Sequence, residues 1–298
     1  MKKMNNMKKI ICIGLFITAI VFVGCYEYIN PLDPLGYYNK WQFEPMNGGV
    51  SLNTEPEFKI AEIKGASGYN FRISTTAEFI DGTVEYSSNY DPGTWIGDDV
   101  TFEIGDTIYW QVRPTYWFIP AEWSPVISFT IKDHLEIGDK YAGGYVFYLK
   151  SGVSEGLIAA VEDCSYGENA PWGGAGVDIN GNDADNHPEL YSELDDGKPN
   201  TDTIIAAIDD DPDYTYAAKL CNDLVSNRYN DWYLPAYDQL LEMRDAIGDN
   251  GTFIGDFYWS STEFDADNAR AAVIPGTTTT STGKDARLYV RAIRSFTY

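Results

Sequence analysis

The chain has 298 residues and carries 45 Asp+Glu against 21 Lys+Arg, a formal net charge of −24. So acidic a surface repels nucleic acid and anionic lipid headgroups, which makes both poor partners for the folded part. Aromatic residues make up 15% of the chain and no acidic block is long enough to form a tail, so the composition is that of a folded protein.

Lys2, Lys3, Lys8 and Lys9 precede a 14-residue apolar run over 10–23, followed by Gly24 and Cys25. A charged start and an apolar core of this length read as a signal peptide, since a spanning helix needs about 20 residues. Phe22-Val23-Gly24-Cys25 resembles the bacterial lipobox, with Phe22 where Leu is more usual. The resemblance implies cleavage before Cys25, acylation of that residue, and lipid anchoring in the bacterial cell envelope. The alternative is an uncleaved N-terminal anchor. Without residues 1–24 the chain keeps 17 basic residues (21 − 4) and a charge of −28 (17 − 45). Its 274 residues (298 − 24) suffice for two ordinary domains. Cys12 lies in the leader and Cys25 is the lipid site, so Cys164 and Cys221 remain. In an oxidising compartment they read as a disulfide, the alternative being two separately buried thiols. His134 and His187 stand at no metal-ligand spacing to either cysteine.

Residues 26–40 form a tether broken by Pro31 and Pro34. Alternating apolar segments at 57–63, 68–74, 108–113 and 125–131 then predict short strands of a β-sandwich. Gly65-Ala66-Ser67-Gly68-Tyr69, Thr107-Ile108-Tyr109-Trp110-Gln111-Val112-Arg113 and Trp123-Ser124-Pro125 resemble strand starts and strands of a fibronectin type III-like domain over 41–132. The tryptophan usual in that family's second strand is replaced by Phe58 or Ile60. The resemblance implies a spacer or docking module.

The polar stretch 132–136 marks the domain boundary. Beyond it, strands are predicted at 143–149 and 156–161, followed by a long Gly/Asp/Asn-rich segment over 167–197. A helix capped by Asn200 or Thr201 is expected over 202–208, because acids in its first turn suit the helix dipole. The spacing of Ala217, Leu220, Cys221, Leu224 and Val225 predicts a second helix over 214–227, and a third is expected over 237–247. Strands at 257–262, 269–274 and 288–296 close an α+β domain.

Asp231-Trp232-Tyr233-Leu234-Pro235 running into a helix, then Tyr258-Trp259-Ser260-Ser261-Thr262-Glu263, then Val290-Arg291-Ala292-Ile293-Arg294, resemble the Legionella collagen-like (Lcl) C-terminal-type domain over 133–298. The Leu-Pro turn is also similar to that of formylglycine-generating-enzyme-like and C-type-lectin-like folds. The resemblance implies a C-type-lectin-like α+β architecture. The motif residues Trp232, Leu234, Pro235, Trp259, Arg291 and Arg294 read first as structural. Pro235 presets φ at the helix start, Trp259 fills the core, and at least one arginine pairs with a buried carboxylate. The last strand would put the two arginines on opposite faces.

Two constellations bear on ligands. Asp178, Asn180, Asn182, Ala184, Asn186 and Glu189 follow the ligand register of a calcium loop, with Asp183 and Asp185 as further donors. Asp183 stands where the turn needs Gly, and the alternative is a solvated loop. Trp172 is a candidate for stacking on a sugar or partner surface, with packing beneath the loop as the alternative. Arg270, Arg287, Lys284 and Arg291 would serve a polyanion only if they cluster. Two isolated histidines leave no catalytic triad, so no catalytic residue is assigned. The expectation is a non-enzymatic, lipid-anchored binding or adhesion protein with a glycan or protein ligand and no nucleic-acid partner. A carbohydrate-active enzyme with an accessory sandwich, or a structural envelope protein, are the alternatives.

Overall fold

A computed structural model describes residues 43–60, 63, 65–80, 83–88, 94–96, 101–117, 119–164, 169–179, 194–208, 215–250 and 252–298. The leader, Cys25 and the tether lie outside the described residues. Strands β1 (Phe43–Glu44), β2 (Gly49–Ser51), β3 (Glu57–Ile60), β4 (Gly68–Ser74), β5 (Val84–Ser88), β6 (Thr94–Ile96), β7 (Thr107–Tyr116), β8 (Ile119–Pro120) and β9 (Ile127–Ile131) build two sheets. One runs β1-β3-β6 and the other β2-β9-β7-β4-β5, with β8 paired to β7. All pairs are antiparallel except β2 with β9. Period-2 alternation sends Phe58, Ile60, Phe71, Ile73, Ile127, Phe129 and Ile131 between the sheets, where all are buried.

The bulk expected from a second-strand tryptophan comes instead from Trp110 on β7. Its ring centroid lies 5.4 Å from that of Phe43, 5.2 Å from Phe58 and 6.4 Å from Phe71. Trp110 is fully buried and its Nε1 has no hydrogen-bond partner. The site therefore uses the ring for volume, at the cost of one stranded N–H.

The stretch taken as a boundary is a tight, charge-locked turn. Lys132 Nζ binds Glu136 at 2.6 Å and Asp139 at 2.8 Å, while Lys132 N donates to Ser51 O. Leu135 is buried in the second module's core, and Val50 of β2 joins the same cluster. Arg228 Nη1 donates to Ile60 O, and Tyr229 OH donates to Glu44 Oε1 at 3.2 Å. The modules are packed together rather than strung on a flexible linker.

The second module holds β10 (Lys140–Tyr141), β11 (Gly144–Leu149), β12 (Glu155–Ala160), β13 (Ala170–Pro171), α1 (Gly197–Ala207), α2 (Ala217–Asn222), α3 (Tyr237–Ile247), β14 (Asp256–Glu263), β15 (Asn268–Ile274), β16 (Thr279–Gly283), β17 (Arg287–Leu288) and β18 (Ile293–Thr297). Its sheets run β10-β11-β12-β18 and β14-β15-β16, with β13 paired to β17. No helix of the described residues is long and apolar enough to cross a membrane.

Three predicted elements differ. Helix α1 begins at Gly197, ahead of the predicted caps, because Pro199 is tolerated in a first turn and Thr201 is used elsewhere. Helix α2 stops at Asn222, since the chain then turns through Asn227 and Arg228 at φ 48° and 71° to bring Tyr229 against Glu44. The predicted strand at 288–296 splits into β17 and β18, each paired in a different sheet, and Arg291 falls between them. Strand β16 had no alternation of apolar residues to announce it.

Trp110→Ala should destabilise the chain by about 3–5 kcal/mol in urea unfolding, the range for emptying a large aromatic site. Trp110→Phe should cost well under half as much, because it keeps part of the volume and deletes the unpartnered N–H. Equal losses in the two variants would refute this account of the core.

Candidate functional site

The Leu-Pro turn is the hub of the second module. Trp232, Leu234 and Pro235 are all buried. Tyr233 and Ile293 exchange both backbone hydrogen bonds at 2.9 Å, and Ser261 N donates to Pro235 O at 2.7 Å. Thr201 Oγ1 accepts from Leu234 N at 3.0 Å and donates to Gly197 O at 2.8 Å, bolting α1 to the turn. At the start of α3, Gln239 Oε1 accepts from Ala236 N at 2.8 Å and Thr262 Oγ1 accepts from Tyr237 N at 2.9 Å. A Cβ on Gly197 would meet the Ala236 backbone N at 3.0 Å, so only glycine allows α1 to approach this closely.

Both motif arginines hold carboxylates. Arg291 is 1% exposed; its Nε donates to Asp163 Oδ1 at 2.7 Å, and its Nη atoms donate to Ala160 O and Thr252 O. Tyr258 OH donates to the other Asp163 oxygen at 3.1 Å, and burial pushes this phenol's pKa up. Arg294 grips both oxygens of Asp231 at 2.6 and 2.8 Å and lies 3.9 Å over the Tyr229 ring. Trp259 is fully buried, and its Nε1 donates to Ala170 O at 2.9 Å.

The Gly/Asp/Asn-rich segment is rooted in a buried ion pair. Lys284, 0% exposed, binds Glu263 and donates to Val177 O at 2.7 Å. Glu263 Oε1 also accepts from Ile179 N at 3.1 Å, and Gly176 N donates to Ala266 O at 3.0 Å. Trp172 forms the floor. It is fully buried, its Nε1 donates to Ser260 O at 2.8 Å, and Lys284 Nζ lies 4.8 Å from its ring centroid. Trp172 therefore offers no face to a ligand, correcting its assignment as a stacking residue; the space under the loop needed a large ring. Of the calcium register only Asp178 is described, while Asn180, Asn182, Asp183, Asp185 and Glu189 lie outside the described residues. Among the described residues no group of three or more His, Cys, Asp or Glu is placed to hold a metal.

The four basic residues do not form one surface. Lys284 and Arg291 are buried in ion pairs, and Arg287 Nε donates to Asn169 O at 3.1 Å. Arg270 is half-buried, 4.7 Å from the Phe264 centroid and 5.5 Å from that of Tyr237. All three residues are partly open to solvent, and Phe264 adjoins Glu263 and so lies beside the loop root. An arginine laid on two aromatic rings suits a planar or hydroxyl-rich ligand. Tyr237 and Phe264 carried no spacing signal; only the cross-strand fold brings them to Arg270.

A groove of about 370 Å³ between the modules includes Glu44, Glu57, Lys59 and Lys140 in its lining. Glu57 pairs with Lys59 at 2.6 Å and Glu44 Oε1 accepts from Tyr229 OH at 3.2 Å. His134 is exposed beside Asp133.

No protein-family model and no curated protein matches the chain. Solved structures similar to part of it include an Fn3-like protein from Clostridium thermocellum, at 17% identity and TM-score 0.25, covering 30% of this chain and 91% of that one. A human fibronectin type III domain, at 14% identity and TM-score 0.25, covers 39% and 88%. An α-L-rhamnosidase from Dictyoglumus thermophilum, at 12% identity and TM-score 0.27, is matched over 39% of this chain but only 14% of that enzyme. The β-sandwich assignment of residues 43–131 rests on its own strand order and register.

Lys284→Met should cost about 3–5 kcal/mol, because it strands the Glu263 carboxylate in the interior. The double variant Lys284→Met/Glu263→Leu should be less destabilised than the single one, as read by chemical denaturation. A double variant that loses as much as the two single variants together would show that burial of charge is not the cause.

Proposed function

We propose that this chain is an exported, lipid-anchored, non-enzymatic binding protein of the bacterial envelope. In this reading Cys25 carries the lipid, the fibronectin type III-like sandwich is the spacer, and the C-terminal module has C-type-lectin-like architecture of the Lcl C-terminal type. The observation that carries it is the half-exposed Arg270, Tyr237 and Phe264 group beside a loop whose root is held by the buried Lys284–Glu263 pair. Fixing a polar loop at its base while leaving an aromatic and arginine surface open beside it supports binding rather than turnover. Lys284 and Arg291 are buried against Glu263 and Asp163, so neither is available to a polyanion at an already acidic surface, which points the ligand class to neutral glycans or proteins. Calcium in the 178–189 loop would add oxygen ligation for sugar hydroxyls.

A glycan array probed with and without calcium tests the binding reading. Binding to at least one neutral glycan is expected, with Arg270→Ala weakening it about tenfold, the size of one partly desolvated cation–π contact. Release of reducing sugar without stable binding would replace this proposal with the enzymatic one. For the anchor, metabolic labelling with a fatty acid should mark the wild-type chain and miss Cys25→Ser, which should also leave the membrane fraction. Equal labelling of both chains would remove the lipid from the account.

A further inference from the structure

Cys164 follows β12 and Cys221 lies near the end of α2, 57 residues apart in sequence. Their Sγ atoms nevertheless stand 3.9 Å apart in the interior. Both are free thiols in this structure, Cys221 at 0% exposure and Cys164 at 8%. They belong to the apolar cluster that includes Trp172, Ala217 and Ala218, and no described group of three metal-ligating side chains surrounds them. Among the described residues the two sulfurs fall short of the four ligands of a structural zinc site. Cys164 N donates to Val290 O at 2.9 Å, so the backbone at this end is tied to the C-terminal segment.

We propose that Cys164 and Cys221 are joined by a disulfide in the mature protein, forming a buried staple across the segment that carries Trp172, Asp178 and α1. Closing the sulfurs to about 2.05 Å asks for a movement of about 2 Å, within reach of rotation about two Cα–Cβ bonds. The staple ties the chain just after β12 to α2, so the Gly/Asp/Asn-rich insertion and α1 both lie within one closed loop. Its oxidising compartment rests on the export reading above; the bond itself does not.

The reaction is a thiol–disulfide exchange with a disulfide donor, either a thiol oxidoreductase or oxidised glutathione. The thiolate of Cys164, the more accessible residue, attacks one donor sulfur, giving a mixed disulfide and releasing one donor thiolate. The Cys221 thiolate then attacks the Cys164 sulfur. The protein S–S bond forms, and the second donor thiolate leaves. Two protons and two electrons pass from the dithiol to the donor. Burial, with Cys164 beside it, holds the Cys221 thiol well above its ordinary pKa, so few thiolates exist once the module has folded. Solvent-borne donors are also excluded from a core position. The bond therefore forms as the chain folds and is then sheltered from reductants, which makes it a structural staple and not a reversible switch.

The test is to refold the full chain, unfolded and reduced, with a mixture of oxidised and reduced glutathione, then digest it without reduction for mass spectrometry. One Cys164–Cys221 linked peptide is expected, with a Tm about 10 °C above that of protein refolded in reductant alone. The double variant Cys164→Ala/Cys221→Ala should show the same Tm in both buffers. Unlinked thiols after oxidative refolding, linkage to Cys12 or Cys25 instead, or a Tm indifferent to the bond would each overturn the proposal. Failure of the export reading shows separately, as fractionation of the native chain with cytosol while the linked Cys164–Cys221 peptide is still recovered from it; a native chain that keeps both thiols overturns the staple.

Discussion

The second module depends on satisfying the backbone of a buried turn. Residues 232–236 are all buried, so their amides and carbonyls cannot use water. The partners come from four directions: the Thr201 hydroxyl of α1, the Gln239 carboxamide of α3, Ser261 of β14 and Ile293 of β18. Each element is thereby placed relative to the others by a directional bond, and the apolar side chains fill what remains. This is why the Trp-Tyr-Leu-Pro string is so compact. Its residues serve the fold before they serve any ligand.

Scarce cations are the second constraint. The chain has fewer than half as many basic as acidic residues, yet Lys284, Arg291 and Arg294 are all buried. Each meets a carboxylate and also donates to backbone carbonyls, the condition under which a buried ion pair is tolerated. Each is matched by a carboxylate, so the net negative charge stays with the outer surface. Their use inside also fixes the functional geometry, since the Lys284–Glu263 pair holds the loop root beside which Arg270 lies across its two rings.

The sandwich is tied to the second module by residues of both. Val50 enters the second module's core, and Arg228 and Tyr229 reach back to Ile60 and Glu44. These contacts make the junction part of the fold and not a loose link.

Alternation and turn chemistry made the sandwich strands and α3 legible in the sequence, because both signals act between residues a few positions apart. Phe58, Phe71, Leu240 and Met243 show their buried faces in their spacing alone. The core role of Trp259 and the need of a buried carboxylate for Arg291 could also be read from residue type. Which carboxylate it would be could not, since Asp163 is 128 residues away. The start of α1 shifted because the Thr201 hydroxyl accepts from Leu234 N of the Leu-Pro turn and not from an N–H of its own helix. Trp172, an apparent surface aromatic in a glycine-rich stretch, was drawn inside by the gap beneath that stretch. The sequence by itself determined which sandwich segments are strands and which of their faces are apolar, through residue spacing and local backbone preference. Only the tertiary structure decided which charges meet, which aromatics stay open to solvent and which sulfurs come together, because exclusion of water at a point depends on chain that arrives from far along the sequence.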